Sequence, residues 1–355
     1  MSILGLPQIN IEFFGRAVTA IKRSQLGIVT LILKDDLLTE DTVVYKSIEE
    51  VDLADWSPEN YDYIEKTFRG TPSKVIVERL PTLAEDYNVA LKRLNNKRFN
   101  YLAIPQIGGV AKDVIVTWIK TKRDNEKKTF KAVLPNVKGD HEGIINFTTE
   151  GIKVGDKEYT TAEYTARIAG AVAGLPFTRS FTYYEFPEID SINEIEDPDA
   201  AVDNGELILI NDGENIKIGR GVNSLTTTTM KKTEDFKSIR IVEVMDLIKD
   251  DIRETFNKHY VGKANNIYDN QVLFITSVNS YFKDLAGNEI LDPSFDNKSL
   301  INVAAQRLAW KGIGTDTSEW DDDKVRKMSF KRNVFLAAKI KIVDAMEDLS
   351  FDIAI

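Results

Sequence analysis

The sequence of 355 residues contains no cysteine and two histidines. The absence of cysteine excludes disulfides and thiolate metal sites. His141 stands in a turn-like Gly-Asp-His-Glu-Gly sequence, and His259 falls near the end of a predicted helix, where a structural role is expected. Neither histidine belongs to a His-Glu-x-x-His motif. No metal site is predicted.

Motifs for nucleophilic catalysis and phosphate binding are also missing. The sequence has no Gly-x-Ser-x-Gly elbow and no phosphate-binding Gly-Lys-Ser/Thr loop. Gly219 and Gly221 resemble half of a dinucleotide fingerprint, but a threonine run follows instead of a helix. The acidic cluster of Asp197, Asp199 and Asp203 lacks the glycine and glutamate of a calcium loop. We therefore predict no cofactor and no enzymatic activity.

Long apolar runs are absent too. No stretch reaches the ~18 apolar residues that a bilayer span requires. Residues 1–14 lack the basic start and continuous apolar core of a signal peptide, which predicts synthesis and folding in the cytoplasm. The net charge of -10 disfavours general nucleic-acid binding, because phosphate contacts need a basic surface.

The first part of the chain alternates apolar strands with amphipathic helices. This alternation predicts an α/β layer with a largely parallel sheet. The predicted strands are 27–33, 74–77, 99–104, 130–134 and 143–147, and the predicted helices are 58–68, 83–94 and 110–122.

The next part is mixed. Gly155-Asp156 predicts a hairpin between 152–154 and 157–159. The alanine-rich helix predicted over 161–174 indicates close packing, and the acidic residues 191–205 are interpreted as an exposed loop.

Residues 216–263 hold the strongest helix signal. The Asn-Asp-Gly sequence at 211–213 predicts a turn that pairs 206–210 with 216–218. A helix is predicted over 236–259, ended by Gly262. Its apolar residues recur at three- and four-residue steps, which predicts a buried stripe. They are Ile241, Val244, Met245, Ile248, Ile252 and Phe256.

The region after this helix is predicted to be α+β. A helix is expected over 299–311, begun by Asn297 or Ser299, and β structure over 325–342.

Both ends of the chain show strand periodicity. The N-terminal strand suits either an edge strand of the first domain or a strand lent to another subunit. The alternating apolar residues are Ile9, Ile11 and Phe13 at one end, and Leu349, Phe351, Ile353 and Ile355 at the other.

One charge asymmetry stands out near the C-terminus. Residues 324–343 include seven basic side chains and no acidic one, within an acidic chain. They suit either a solvated strand face or a docking surface for an acidic protein, partly neutralised by residues 321–323. The seven are Lys324, Arg326, Lys327, Lys331, Arg332, Lys339 and Lys341.

Four segments carry a family resemblance. They are GVNSLTT (221–227), FKSIRIVEVMDLI (236–248), YVGKANN (260–266) and residues 337–342 running into the C-terminal strand. Together they resemble the tail sheath proteins of contractile phage tails, above all the short sheaths of defective prophages and diffocin-type R-type bacteriocins. The resemblance covers the chain in outline and is most specific over 206–355.

The resemblance implies a structural subunit that stacks as hexameric rings around an inner tube and contracts to drive the tube through a cell envelope. It implies an N-terminal arm (1–20), an outer α/β domain resembling the subtilisin-like sheath domain (21–230), a tube-facing domain (231–345) and a C-terminal arm strand (346–355). Arms of this family add strands to a sheet in a neighbouring subunit.

The implied partners are further copies of the chain, the inner tube protein, and baseplate and tail terminator proteins, without nucleic acid or membrane insertion. The implied location is a phage tail or phage-tail-like particle released on lysis. The outer domain has no Ser-His-Asp motif, so proteolysis is not implied.

Two alternatives remain open at this point. An α/β enzyme with an unrecognised site predicts a deep pocket with converging polar groups within residues 21–230. A tail or capsid component other than the sheath shares the arms but not the 236–266 segment.

Overall fold

The computed structural model describes residues 27–353. These residues form two compact units, one comprising 27–258 with 342–353 and the other comprising 259–341. The predicted N-terminal strand with Ile9, Ile11 and Phe13 lies outside the described residues, as does Ile355.

The first unit is built on a seven-stranded sheet. Its strand order is β2-β3-β1-β4-β5-β6-β9. Edge strand β2 runs antiparallel to β3, and the other neighbours are parallel. The predicted α/β class with a largely parallel sheet is confirmed. The strands are β1 (Ile28–Lys34), β2 (Thr42–Tyr45), β3 (Lys74–Leu80), β4 (Tyr101–Ala103), β5 (Lys131–Pro135), β6 (Ile144–Phe147) and β9 (Glu206–Leu207).

Helices cover both faces of this sheet. Leu31 and Leu33 of β1 enter one apolar cluster, whereas Ile32 enters the other. Burial on both faces explains why β1 is a continuous apolar run instead of an alternating one. Helices Pro58–Phe68 and Thr161–Gly174 pack on one face, and Asn88–Leu94 and Ala111–Asp124 on the other.

The alanine-rich helix Thr161–Gly174 packs closely, as predicted. It begins with a capping box in which Thr160 and Glu163 each accept from the other's backbone N–H. A Cβ on Gly170 would lie 2.1 Å from the carbonyl oxygen of Thr67 in the facing helix. Glycine at this position therefore permits the close approach of the two helices.

Two small hairpins complete the first unit. Strands β7 (Ile152–Val154) and β8 (Lys157–Tyr159) pair as predicted, and β10 (Leu209–Asn211) pairs with β11 (Ile216–Ile218). The interpretation of 191–205 as a loop throughout is wrong, because helix Pro198–Asp203 forms there. The Asp197 side chain accepts from Ala200 N at 3.0 Å and Pro198 occupies the first turn, which together start a helix.

The long helix spans Ile239–His259. Ile241, Val244 and Ile248 of the predicted stripe are buried, and the rest of the stripe is half-buried. The division between the units falls after Lys258, so nearly all of this helix belongs to the first unit. The domain boundary at 230/231 stays a prediction.

The second unit combines short helices with a two-stranded sheet. Strands β12 (Lys298–Ile301) and β13 (Leu336–Lys339) are antiparallel. Its helices are Tyr268–Gly287, Val303–Lys311 and Asp322–Lys327.

Two predictions for this unit need correction. The helix expected from 299 begins at Val303, because residues 298–301 pair with β13 and Asn302 caps the helix by accepting from Ala305 N at 2.9 Å. The β structure expected over 325–342 is limited to Leu336–Lys339. Asp321 accepts from Lys324 N at 2.7 Å and starts a helix in the first part of that segment.

None of the helices within 27–353 combines the length and hydrophobicity needed to span a bilayer.

Candidate assembly surfaces

Residues 221–223 are hydrogen-bonded to residues 236–239, at the start of the long helix. Ile239 N donates to Gly221 O at 2.9 Å, and Asn223 N donates to Lys237 O at 2.9 Å. The Asn223 side chain donates to Phe236 O at 2.8 Å. Residues 221–227 and 236–248, two of the four segments that carry the resemblance, thus form one local structure.

A neighbouring turn fixes the same segment from the other side. One carboxylate oxygen of Asp140 accepts from Thr226 N and Thr227 N, both at 2.9 Å. Partial burial alone would raise the pKa of Asp140, but the two backbone donors outweigh it and lower the pKa to about 2. The charged carboxylate therefore contributes to holding this segment in place.

Buried ion pairs fasten the long helix to the sheet. Arg123 Nη1 and Nη2 contact the two carboxylate oxygens of Asp246 at 2.8 and 3.0 Å. Lys131 Nζ lies 3.0 Å from Asp246 and 2.8 Å from Glu243. Burial would raise the pKa of Asp246, but Lys131 and Arg123 reverse this effect and hold its pKa below the ordinary value.

This ion cluster was not predicted from the sequence. Its signal is present in the long helix, where Glu243, Asp246 and Asp250 recur at three- and four-residue steps beside the apolar stripe. The cationic partners Arg123 and Lys131 are more than a hundred residues away in sequence, so the pairing follows from the fold alone.

Within 27–353, Asp124, His141 and Glu142 form the one group whose ligand atoms lie close enough to hold a metal ion. The hydrogen bonds and ion pairs that these three side chains make do not suit a metal site. His141 Nδ1 accepts from Gly143 N at 3.0 Å, which leaves Nε2 as the protonated nitrogen of the neutral ring. Glu142 is bonded to Lys232 Nζ at 2.8 Å. The trio is a polar network, with His141 and Glu142 buried and Asp124 exposed, that links the 139–143 turn to residue 232.

The seven basic residues of 324–341 are all exposed. Arg326 pairs with Asp323 at 2.5 Å, and Lys341 pairs with Asp292 at 2.8 Å. The bond from Lys341 is the main cause that lowers the pKa of Asp292 to about 2. Lys324, Arg326 and Lys327 belong to the short helix and Lys339 to β13, so the predicted basic strand is instead a basic surface drawn from several elements.

The two edges of the small sheet differ. Asn302 N donates to Phe335 O at 2.9 Å, so in the antiparallel register Ser299 and Ile301 point their backbone groups away from β13. The Asn279 side chain accepts from Ser299 N at 2.7 Å and donates to Ser299 O at 3.3 Å. The carboxamide thereby occupies the outer edge of β12.

Unlike the outer edge of β12, the outer edge of β13 is not covered by a side chain among residues 27–353. The same register points the N–H and C=O groups of Leu336 and Ala338 outward. Among residues 27–353, no hydrogen bond partner of these groups is found. Ala337, Ala338 and Lys339 are exposed, so this edge is accessible to another strand.

The C-terminal residues have two parts, which we call the stem (343–348) and the tip (349–355). Stem residues contact the first unit: Arg240 Nη1 donates to Val343 O at 2.5 Å, and Ser180 Oγ donates to Glu347 at 2.6 Å. The described tip residues 349–353 have no regular secondary structure. Leu349, Phe351 and Ile353 are 89%, 75% and 72% exposed.

A groove of about 650 Å³ lies in the first unit beside the long helix. Its lining carries ion pairs between Arg98 and Glu254 at 3.0 Å and between Arg253 and Asp250 at 3.3 Å. The groove is open and its walls are charged, unlike the deep pocket with converging polar groups expected of the enzyme alternative.

Comparison with known proteins identifies the family of the chain. Residues 83–224 match the phage tail sheath protein central domain, and residues 231–355 match the phage tail sheath C-terminal domain. A tail sheath protein of Clostridium phage phiCD119 is 39% identical over 360 residues, covering 98% of each chain. The chain belongs to the phage tail sheath proteins, and the predicted family is confirmed.

Solved structures agree at the level of the fold. The sheath tail protein Lin1278 from Listeria innocua is 16% identical with a TM-score of 0.69, covering 82% of this chain and 92% of that chain. The helical sheath of the anti-feeding prophage in its contracted state is 12% identical with a TM-score of 0.68, covering 99% of each chain.

Proposed function

We propose that this chain is the structural subunit of a contractile tail sheath that polymerises as stacked hexameric rings around an inner tube. Contraction of the sheath drives the tube through a target envelope. Support comes from the family membership and from the likeness to a contracted helical sheath along the whole chain. The work of the protein is mechanical, and we assign it no enzymatic role.

The open edge of β13 is the observation that carries the proposed assembly mode. An incoming strand would pair with the outward N–H and C=O groups of Leu336 and Ala338. The tip of a second copy is the donor, because Leu349, Phe351, Ile353 and Ile355 alternate along it and would form one apolar face. Main-chain bonds supply affinity, and the alternation sets the register.

The contact is directional, since one copy donates its tip and another offers β13. A head-to-tail contact of this kind generates rings or helical polymers instead of closed pairs. We assign Ile9, Ile11 and Phe13 a second strand-donating role, by the same alternation. Each subunit would then be connected to several neighbours through its two ends.

The basic surface of 324–341 is proposed to contact an acidic partner, the inner tube protein or a neighbouring sheath subunit. The simultaneous changes Lys327→Gln, Lys331→Gln and Arg332→Gln should weaken the contact and reduce its salt dependence. Co-sedimentation with assembled tubes tests the tube, and polymerisation without tubes tests the neighbour. A triple variant that binds and assembles like the original would remove this role.

Contraction would move subunits into a more tightly packed lattice while the strand contacts persist. The free energy would come from additional burial between subunits and not from nucleotide hydrolysis. Baseplate and tail terminator proteins are proposed to bound the polymer. The subunit would be made in the cytoplasm and assembled into a tail-like particle released on lysis.

The assembly mode is tested on both sides of the contact. Deletion of residues 349–355 should leave a folded monomer that forms no tubes in negative-stain electron microscopy. On the acceptor side, Ala338→Pro removes one outward N–H without breaking the β12 ladder, since proline is tolerated on a strand edge.

The matched control is Ala338→Ser, which keeps the N–H and should assemble normally. Circular dichroism confirms that each variant is folded. Normal tubes from the truncated chain would contradict the proposed arm, and normal tubes from the proline variant would contradict the proposed acceptor edge.

A further inference from the structure

Two arginines of the first unit face the stem. Arg240 is buried, and its Nε donates to Phe177 O at 3.1 Å while its Nη1 donates to Val343 O at 2.5 Å. Its guanidinium also lies 3.6 Å from the Asp344 carboxylate. Arg220 Nη2 lies 2.5 Å from Asp348, and its Nε lies 3.8 Å from Glu347.

The contacts of the stem end abruptly at Asp348. The backbone carbonyl of Val343 and the carboxylates of Asp344, Glu347 and Asp348 all have partners in the first unit. From Leu349 onward the described side chains are exposed. The chain is therefore held in place up to residue 348 and projects freely beyond it.

We infer that Arg220, Arg240 and Ser180 form a clasp for the stem, so that only the tip is exchanged between subunits. The free-energy cost of release differs between the stem and the tip. If the stem were released, the buried Arg240 would lose its hydrogen bond to Val343 O and the nearby carboxylate of Asp344, and leaving a buried cation without these partners is costly. Release of the tip breaks no such bond.

The clasp sets the reach of the arm. A fully extended chain spans at most about 3.3–3.6 Å per residue, so a tip that starts at 349 reaches roughly 25 Å from its anchor. A released stem and tip would reach almost twice as far. At a sheet edge that the short tether already reaches, a longer tether lowers the effective concentration of the tip. The clasp would thus favour one neighbour over more distant ones during polymerisation.

This inference rests on the proposed strand exchange for its purpose, but the clasp itself can be tested separately. Because the chain has no cysteine, single-cysteine variants accept one spin label each. Met346→Cys reports on the stem and Ser350→Cys on the tip, at positions where the native side chains are exposed. Electron paramagnetic resonance of the monomer should show a restricted stem label and a mobile tip label.

Weakening the outer contacts of the clasp, which Ser180 and Arg220 make, should loosen the stem around Met346 while Arg240 still holds Val343. Glu347→Gln with Asp348→Asn changes only the tail, so it leaves the folded unit intact, and Arg220→Gln changes the other side. Either change should shorten the rotational correlation time of the stem label at least twofold. The exposed change Glu85→Gln serves as the control and should leave both labels unaltered.

Assembly distinguishes the clasp from the strand exchange. In assembled tubes the tip label should become restricted, while the stem label stays as it was. A tip label that stays mobile in tubes contradicts the strand exchange but leaves the clasp standing. A stem label as mobile as the tip label in the unaltered monomer overturns the clasp, as does a stem label that the clasp variants leave unchanged.

Discussion

Arg123 and Asp246 form a two-pronged ion pair, with nitrogen–oxygen distances of 2.8 and 3.0 Å, that joins the helix Ala111–Asp124 of the first unit to the long helix. Both side chains are buried, and Lys131 shares the same carboxylate. The helix Ala111–Asp124 and strand β5 each supply one of the two cations, and the spacing along the long helix places the acids. The position of this helix therefore depends on buried charges, and removing any one of them would lower the free energy of unfolding.

Asp246→Asn should destabilise the folded chain by about 3–5 kcal/mol, because two buried cations lose their shared counter-charge. Urea unfolding monitored by circular dichroism measures the change. Glu254→Gln, on the same helix in an exposed pair with Arg98, is the matched control and should cost at most about 1 kcal/mol. Equal effects of the two changes would contradict the importance of the buried cluster.

The carboxylate of Asp140 should make stability depend on pH. Its folded pKa of about 2 lies below the ordinary value of about 3.9, so the unfolded chain binds the proton more readily. Its contribution is fully present above about pH 4 and is lost as the pH falls toward about 2.

Asp140→Asn keeps an oxygen that can accept from Thr226 N and Thr227 N but cannot titrate. The difference in unfolding free energy between the original chain and this variant should shrink as the pH is lowered through this window. A difference that is constant with pH would show that the charge of Asp140 is not involved.

Gly170→Ala should destabilise the first unit by about 1–3 kcal/mol, because the new methyl group would overlap the Thr67 carbonyl of the facing helix. Thermal or urea unfolding measures this. Gly108→Ala is the control: its added Cβ meets no atom within 4 Å, and its effect should stay within about 0.5 kcal/mol. A neutral Gly170→Ala would mean that the two helices can separate without cost.

Asn279→Ala should uncover the outer edge of β12. The loss of two hydrogen bonds to Ser299 should cost about 1 kcal/mol for each bond, and the exposed edge should promote irregular association. Asn279→Asp keeps the oxygen that accepts from Ser299 N and should have a smaller effect. Light scattering and unfolding measure the two consequences, and ordered tubes at unchanged yield from the alanine variant would argue against a protective role for Asn279.

Helices and strands were predicted correctly where the local sequence signals and the pattern of burial agree. Ser57 and Pro58 at a helix start, the apolar run of β1 and the turn at 155–156 each predicted an element that forms. The second unit was harder, because short caps such as Asn302 and Asp321 decide between helix and strand over a few residues. In residues 325–342, the alternation of basic and apolar residues predicted a strand, whereas the first part of this segment belongs to the helix Asp322–Lys327.

Some features of the assembly surfaces could be predicted from the sequence, and others depend on the fold. The alternation of Leu349, Phe351 and Ile353 is visible in the sequence, since it requires only a period of two. The difference between the edges of β12 and β13 is not visible in the sequence, because Asn279 lies within the helix Tyr268–Gly287, 20 residues before Ser299. The clasp on the stem likewise joins residues more than a hundred positions apart, such as Arg220 and Asp348.

A helical cryo-electron microscopy reconstruction of tubes assembled from the purified chain would show whether the tip of one subunit pairs with β13 of another. We expect density for residues 349–355 of a neighbouring copy along Leu336–Lys339, hydrogen-bonded to Leu336 and Ala338, with the stem still on its own subunit. An empty β13 edge in well-ordered tubes would contradict it, as would an edge filled by the subunit's own tip.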